Sequence, residues 1–486
     1  MKLELKGHFK TTGAITALAC AASTLTATTA EVSTNSIADP AAPTTSGATP
    51  AIETSAEIQQ QNWNWHVQNT EVVQGYPCFS AKYTNPGFNS LPPGGETRET
   101  VSLDLMVGVR LWPGAEAHMD GLMWQGYGLD DTLGIEAFPS AEAYRAGTTL
   151  PNGMIARLFI RQTIGLGGDE ETVDDDQLHL AGKQDVSRIT ITAGRMSAID
   201  IFDNNAYAND PRAQFMNWAF VANEAWDYPA DAVGYTTGVA VELNQRRWAL
   251  RYGFFQMSGV QNQWTAEDQI FTWPTPKPAG DGKFWQSWGM PLEFEFRYGK
   301  EHPGKIRLLA YLNEANMADY SAAIAILEAK GPGADTTSAR ASHFKYGFGF
   351  NWEQEITPNV GVFSRLGWND GHTESWEYAD VDRTASLGLS VKGDSWHRPD
   401  DTFGLAGVMN GITPIHQQFF ADGGTGILGG DGALNYGWEK TLETYYDFKI
   451  WKTMHAALDY QFVTNPAYNR DRGPVSIIGA RLHWEF

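Results

Sequence analysis

The chain has 486 residues, among them 50 Gly, 18 Trp and 18 Tyr, and its 35 Lys and Arg against 57 Asp and Glu leave a net charge of -22. Such acidity disfavours a phosphate-backbone partner, so no nucleic acid is expected. Mean hydropathy is -0.35, and no stretch beyond the N-terminus approaches the roughly 18 uncharged apolar residues that a spanning helix needs. If the chain meets a membrane, it does so with strands.

The N-terminus reads as an export signal over residues 1–30. Lys2, Lys6 and Lys10 form a positive start, Gly13 to Ala22 a short apolar core, and small residues around Ala27 and Ala30 offer cleavage sites. Cys20 follows Ala17 where a lipid-attachment sequence carries a larger aliphatic side chain, so lipidation is disfavoured. Loss of Cys20 with the signal leaves Cys78 without a partner for a disulfide. Residues 31–61, rich in Ala, Thr, Ser and Pro, read as a flexible periplasmic leader, and residues 62–486 as the folded part.

From Asn62 onward, segments of period two recur. Trp63, Trp65 and Val67 open the first; in the second, Val101, Leu103, Leu105, Val107, Val109 and Leu111 share one face, with Ser102, Asp104, Met106, Gly108 and Arg110 on the other. Further strands are predicted at 115–124, 153–165, 187–194, 234–243, 247–257, 291–299, 304–313, 344–355, 359–368, 382–392, 402–411, 438–450, 454–463 and 475–486. About sixteen strands, an even number, define the fold class: all-β, a transmembrane antiparallel barrel of the outer-membrane porin type.

Short connections (113–114, 244–246, 300–303, 357–359) alternate with long ones (125–152, 195–233, 258–290, 314–343, 412–437), as expected for periplasmic turns and extracellular loops. Residues 166–186 break the alternation, being long and acidic where a turn belongs. Met317 to Lys330, Ala-rich with helical spacing, reads as a helix in an outside loop. The last strand alternates Ile478, Ala480, Leu482, Trp484 and Phe486 with Arg481, His483 and Glu485, so an apolar face ending on an aromatic ring meets outer-membrane lipid.

Charges recur on the opposite faces: Asp104, Arg110, His118, Asp120, Arg157, Arg161, Arg251, Glu293, Glu295 and Arg297 among them. An Arg turned to lipid at mid-membrane would cost roughly 2–4 kcal/mol, so these groups line water. Each could be no more than wall, paired with its neighbours. As a set, guanidinium forks and carboxylates interleaved with Trp124 and Phe159 suit sugars, whose hydroxyls exchange hydrogen bonds with both charges while their apolar faces lie on rings. Arg157 and Arg161 stand four residues apart on one strand, about 13 Å at roughly 3.3 Å per residue, close enough to touch successive parts of one solute.

No catalytic motif appears: there is no HExxH, GxSxG, Walker-type loop or CxxC pair, and no cofactor is implied. His118 and His483 lack a second ligand at metal spacing, and Asp200, Asp203 and Asp210 fit no calcium loop, so no metal is expected. The turn-rich segment Asp200 to Trp218, with Asn204, Asn205 and Pro211, cannot continue a strand. It either folds inward and narrows the pore or stiffens the outer rim.

GRMSAIDIFDNNAYANDPRAQFMNWAF (194–220), GVRLWPGAEAHMDGLMWQGYGLDDTLGIEAFP (108–139), ARLFIRQTIGLGG (156–168) and DYQFVTNPAYNRDRGPVSIIGARLHWEF (459–486) resemble the carbohydrate-selective porins of the OprB type. The resemblance implies a sixteen-stranded channel for passive diffusion of glucose and similar small sugars. It implies an arginine-rich constriction with nearby acidic groups, carried over here to Arg157 and Arg161, and contact of the strand ending at Phe486 with the barrel-assembly machinery. The leader and the acidic 169–176 segment fall outside the pattern; a homotrimer is one option for the assembly. The competing readings are a channel for another small solute, such as an anion, and a barrel-anchored enzyme.

Overall fold

The computed structural model describes residues 60–143, 147–262 and 286–486. The export signal, the leader up to residue 59 and the middle of the connection 258–290 lie outside the described residues.

Alternating side chains decide which way each strand faces. In chain order the strands are β1 (Trp63–Tyr76), β2 (Glu96–Trp112), β3 (Ala115–Gly126), β4 (Thr148–Gly165), β5 (Glu170–Val173), β6 (Gly182–Asp185), β7 (Arg188–Met196), β8 (Thr236–Asn244) and β9 (Trp248–Gln256). They continue as β10 (Trp288–Tyr298), β11 (Gly304–Ala318), β12 (Arg340–Thr357), β13 (Val360–Asn369), β14 (Arg383–Gly393), β15 (Arg398–Gly411), β16 (Glu439–Trp451), β17 (Met454–Thr464) and β18 (Val475–Glu485). All but β5 and β6 pair with their neighbours in one closed antiparallel barrel of sixteen strands, with no exposed edge to satisfy. Closure is made by β1 on β18, from Gln68 opposite Glu485 to Gly75 opposite Ile478.

On β2, Leu105, Val107, Val109 and Leu111 are exposed on the outside, while Ser102, Asp104 and Met106 are buried within. The outer band carries exposed rings at both rims: Trp63, Trp112, Trp451 and Phe486 at the short-turn end, Phe344, Tyr346 and Trp438 at the long-loop end. These are the aromatic girdles of a barrel in a bilayer, and the short-turn end is the periplasmic one. Among the described residues no helix is long and apolar enough to cross a membrane. The tight turn at 113–114 needs its glycine: Gly114 has φ +77°, and a Cβ there would lie 2.3 Å from the Thr163 carbonyl oxygen.

Two details depart from the pattern of the sequence. The outside helix, α1 (Tyr320–Lys330), starts later than Met317, because Met317 and Ala318 finish β11 opposite Ala341 and Arg340. Asp319 then caps the helix, its carboxylate accepting from the N–H of Ser321 at 2.9 Å and of Ala322 at 3.1 Å. Residues 166–186 are not a turn; β5 and β6 form a separate two-stranded hairpin between β4 and β7.

Candidate functional site in the barrel lumen

The connection from Ser197 to Tyr235, between β7 and β8, runs inside the barrel. Its non-repetitive backbone needs hydrogen-bond partners away from water, and inward carboxylates of the wall supply them. Glu293 on β10 accepts from Asp203 N–H at 2.7 Å, Glu353 on β12 from Ala206 N–H at 2.9 Å, and Glu443 on β16 from Met216 N–H at 2.6 Å. Arginines bind its carbonyls from other strands: Arg365 on β13 donates to Phe220 O at 2.7 Å, and Arg481 on β18 to the carbonyls of Pro211 and Gln214, each at 2.7 Å. Aromatic side chains complete the attachment, with Phe215 4.9 Å from Tyr445 and Phe202 6.1 Å from Phe255, both edge-on.

Two charged clusters stand where this loop meets the wall. In the first, Arg157 grips Asp200 of the loop with both prongs, at 2.8 and 2.7 Å, and donates its remaining fork to Asp120 on β3 at 2.7 Å. The same guanidinium lies 5.1 Å from the Tyr235 ring. One strand-turn lower, Arg161 bonds Glu116 at 2.9 Å and the carbonyl of Leu178, in the 166–186 insertion, at 2.7 Å. Phe159 sits between the two arginines, its ring stacked 5.2 Å from His118. In the second cluster Arg251 bonds Glu293 at 2.6 Å and Glu242 at 2.5 Å; Arg297 bonds Glu295 at 2.5 Å; Arg307 joins Glu295 at 2.8 Å to Glu353 at 3.0 Å.

Both clusters border one cavity of about 930 Å³ in the periplasmic half. Of the residues expected to face the pore, Arg110, Arg161, Arg251, Glu295 and Arg297 line it, together with Asp200 and Asn204 of the inward loop. The others lie behind it. Asp104 is buried against Gln68, 3.0 Å away, with Arg212 at 3.5 Å. Trp124 packs with Ala156, Val233 and Tyr235; His118, Asp120, Phe159 and Glu293 are buried between wall and loop. Asp203 faces Arg365 at 3.0 Å, Asn205 bonds Asn351 at 2.8 Å, and Asp210 accepts from Arg212 N–H at 2.9 Å. Asp200, Asp203 and Asp210 thus turn to three different partners and form no common site.

The sequence pattern missed Glu353 and Glu242, which alternation places inward like their neighbours, and Arg212, which lies in the loop 197–235 where no alternation marks it. It also missed a group of rings from separate long loops. Phe138 stacks on Trp218 at 5.3 Å, and Tyr378 lies 5.0 Å from Trp218 and 4.5 Å from Tyr228, around a small cavity of about 60 Å³. No local periodicity could bring these four together, since only tertiary folding does so.

The family model of the carbohydrate-selective porin, OprB family, matches residues 89–486. A high-pH structure of Pseudomonas putida OprB is similar at TM-score 0.63 and 16% identity, covering 87% of this chain and 94% of that one. The outer membrane channel DcaP of Acinetobacter baumannii aligns at TM-score 0.44 and 8% identity over 90% of this chain and 99% of its own. No curated protein sequence matches.

Proposed function

This chain belongs to the OprB family of carbohydrate-selective porins, and from that premise we propose that it lets glucose-sized sugars diffuse passively across the outer membrane, past a narrowing where the loop 197–235 meets β4 and β10. The observation that carries this reading is the cavity wall itself: Arg161, Arg251, Arg297 and Arg307 are interspersed with Glu116, Glu242 and Glu295 around one cavity. Such a wall offers a neutral polyol donors and acceptors in every direction and offers a single ion no continuous field of one sign. The rings of Phe138, Trp218 and Tyr378 on the outer-loop side suit the apolar faces of a pyranose. An anion channel is less well supported, because every arginine of the two clusters has a carboxylate partner within 3.0 Å. No cofactor enters the process, and export by removal of residues 1–30 fits the same destination.

Recording in planar bilayers tests the proposal. Glucose should reduce ion current in a saturable way, while an uncharged polyol of similar size without a pyranose ring should reduce it only in proportion to viscosity. Equal effects of the two solutes would remove the case for sugar recognition.

The C-terminus gives a second expectation. Phe486 pairs with Val67 through both backbone groups, at 2.9 and 2.8 Å, and its exposed ring lies 5.3 Å from Trp65. Phe486→Asp should lower the yield of heat-modifiable barrel in the outer membrane while secretion to the periplasm continues, as expected if this ring is read by the assembly machinery. An unchanged yield would count against that role.

A further inference from the structure

The hairpin β5–β6 breaks the rule of short periplasmic turns, and its contacts say where it goes. Its base is fixed beside β4 and β7: Leu166 N–H donates to Ser187 O at 2.8 Å, and Arg188 bonds Glu171 at 2.7 Å. Its tip, residues 174–181, reaches β1, which is three strands away from β4 around the barrel. There the Asn64 amide donates to the Asp175 carboxylate at 2.7 Å and lies 3.0 Å from the carbonyls of Asp176 and His179. Gln177 donates to Gln68 at 2.9 Å, and Gln61 exchanges two bonds with Ala181, at 2.9 and 2.8 Å. Asn64 and Gln68 are buried inward-facing residues, whereas Trp63 and Trp65, of opposite parity, are exposed outside. A tip bonded to Asn64 and Gln68 therefore crosses the inside of the barrel mouth, over β3 and β2, and Arg161 also holds this tip through Leu178 O.

The cavity of about 930 Å³ is bounded on one side by Asp200, Ile201 and Asn204 of the inward loop and on another by Leu178 to Val186 of the hairpin. We propose that the hairpin is a second narrowing in series with the loop 197–235, a fixed filter at the periplasmic exit that limits the girth and length of the saccharide that leaves. The choice of saccharides as solute rests on the sugar-channel reading; the narrowing itself does not. Ordering so long an insertion costs conformational entropy. A merely tolerated loop would hang in the periplasm, whereas this one is tied at its base and along its tip to inward-facing side chains.

Two variants test it, both checked as heat-modifiable barrels. One replaces 174–181 with Gly-Ser-Gly; the other, Asn64→Ala with Gln68→Ala, releases the tip at full chain length and decides the matter if the shortened chain does not fold. Single-channel conductance is measured with polyethylene glycols of graded size added on the periplasmic side, and liposome swelling with mono-, di- and trisaccharides. We expect conductance to rise about twofold, the polymer cut-off to shift to larger sizes, and the trisaccharide-to-monosaccharide rate to rise roughly threefold. Parental conductance and polymer cut-off in a folded variant would overturn the filter. If current and cut-off change in the variants although the parent passes no saccharide, the narrowing stands and the sugar reading fails.

Discussion

Replacing Arg157 with Ala should widen the channel and weaken glucose block about tenfold, equivalent to about 1.4 kcal/mol. Arg157 is more than a charge beside the pore. Its guanidinium is only 11% exposed and is the tie between the wall, at Asp120, and the inward loop, at Asp200. Removing one partner of a buried charge network leaves the others uncompensated, which costs about 3–5 kcal/mol in comparable cases, so the loop should detach locally. Arg161, which lines the cavity and bonds the hairpin, should have a smaller effect on conductance when replaced by Ala. The tether and the charge can be separated with Asp200→Ala. If tethering dominates, Arg157→Ala and Asp200→Ala both raise conductance and both weaken sugar block, while ion preference moves toward cations in the first and toward anions in the second. Should Asp200→Ala leave conductance and block at parental values, Arg157 acts on permeating solutes by its own charge and the loop is held elsewhere.

The barrel was legible because each strand carries its own evidence. The two faces of β2 alternate over Val101 to Leu111 without a fault, and a one-residue slip would put Asp104 and Arg110 into lipid. Even the exception was visible: residues 166–186 stood out as too long and too acidic for a turn, although nothing local could show that their tip would reach Asn64. The candidate site was legible only as far as parity goes. Alternation places Asp104, His118, Asp120 and Trp124 inward correctly, but whether an inward side chain meets water depends on which loop lies over it. Asp104 is covered by the approach of Arg212, and Trp124 by Val233 and Tyr235, residues more than a hundred positions away. The ring group of Phe138, Trp218, Tyr228 and Tyr378 was illegible for the same reason, since three loops must first be folded into one lumen.

Alkaline pH should loosen the extracellular loops while leaving the barrel intact. Glu136, Glu224, Glu377 and Asp380 belong to three long connections and are buried where these pack together. Burial pushes all four above the ordinary carboxylate range; neighbouring charges add to this, Asp380 and Glu439 at Glu136, Glu439 at Glu224, and Asp227 at Glu377. Each is partnered: Glu136 accepts from Asp380 N–H at 2.8 Å, Asp380 from Leu428 N–H at 2.9 Å, Glu377 from Ser258 N–H at 3.1 Å, and Glu224 from Asn410 at 2.5 Å. A carboxyl group raised in the folded state binds more protons there than in the opened state. Its stabilisation is complete below the ordinary value near 4.5 and is lost as pH rises through the raised one. Asp382 has the opposite sign: burial pushes it up, but His416, 3.1 Å away, and the nearby Lys345 outweigh that and hold it at about 2, so its contribution fails only in strong acid. The balance between pH 5 and pH 9 therefore belongs to the raised group, and each unit of raised pKa is worth about 1.4 kcal/mol, a tenfold change in the closed-to-open ratio. Protease cleavage within the outer loops, and current fluctuation in single channels, should increase by about tenfold or more over that range. Glu136→Gln, which keeps the size and removes the charge, should flatten the dependence without altering heat-modifiability. Cleavage that slows as pH rises, or a Glu136→Gln profile that overlays the parent, would place the pH-sensitive contacts outside this cluster.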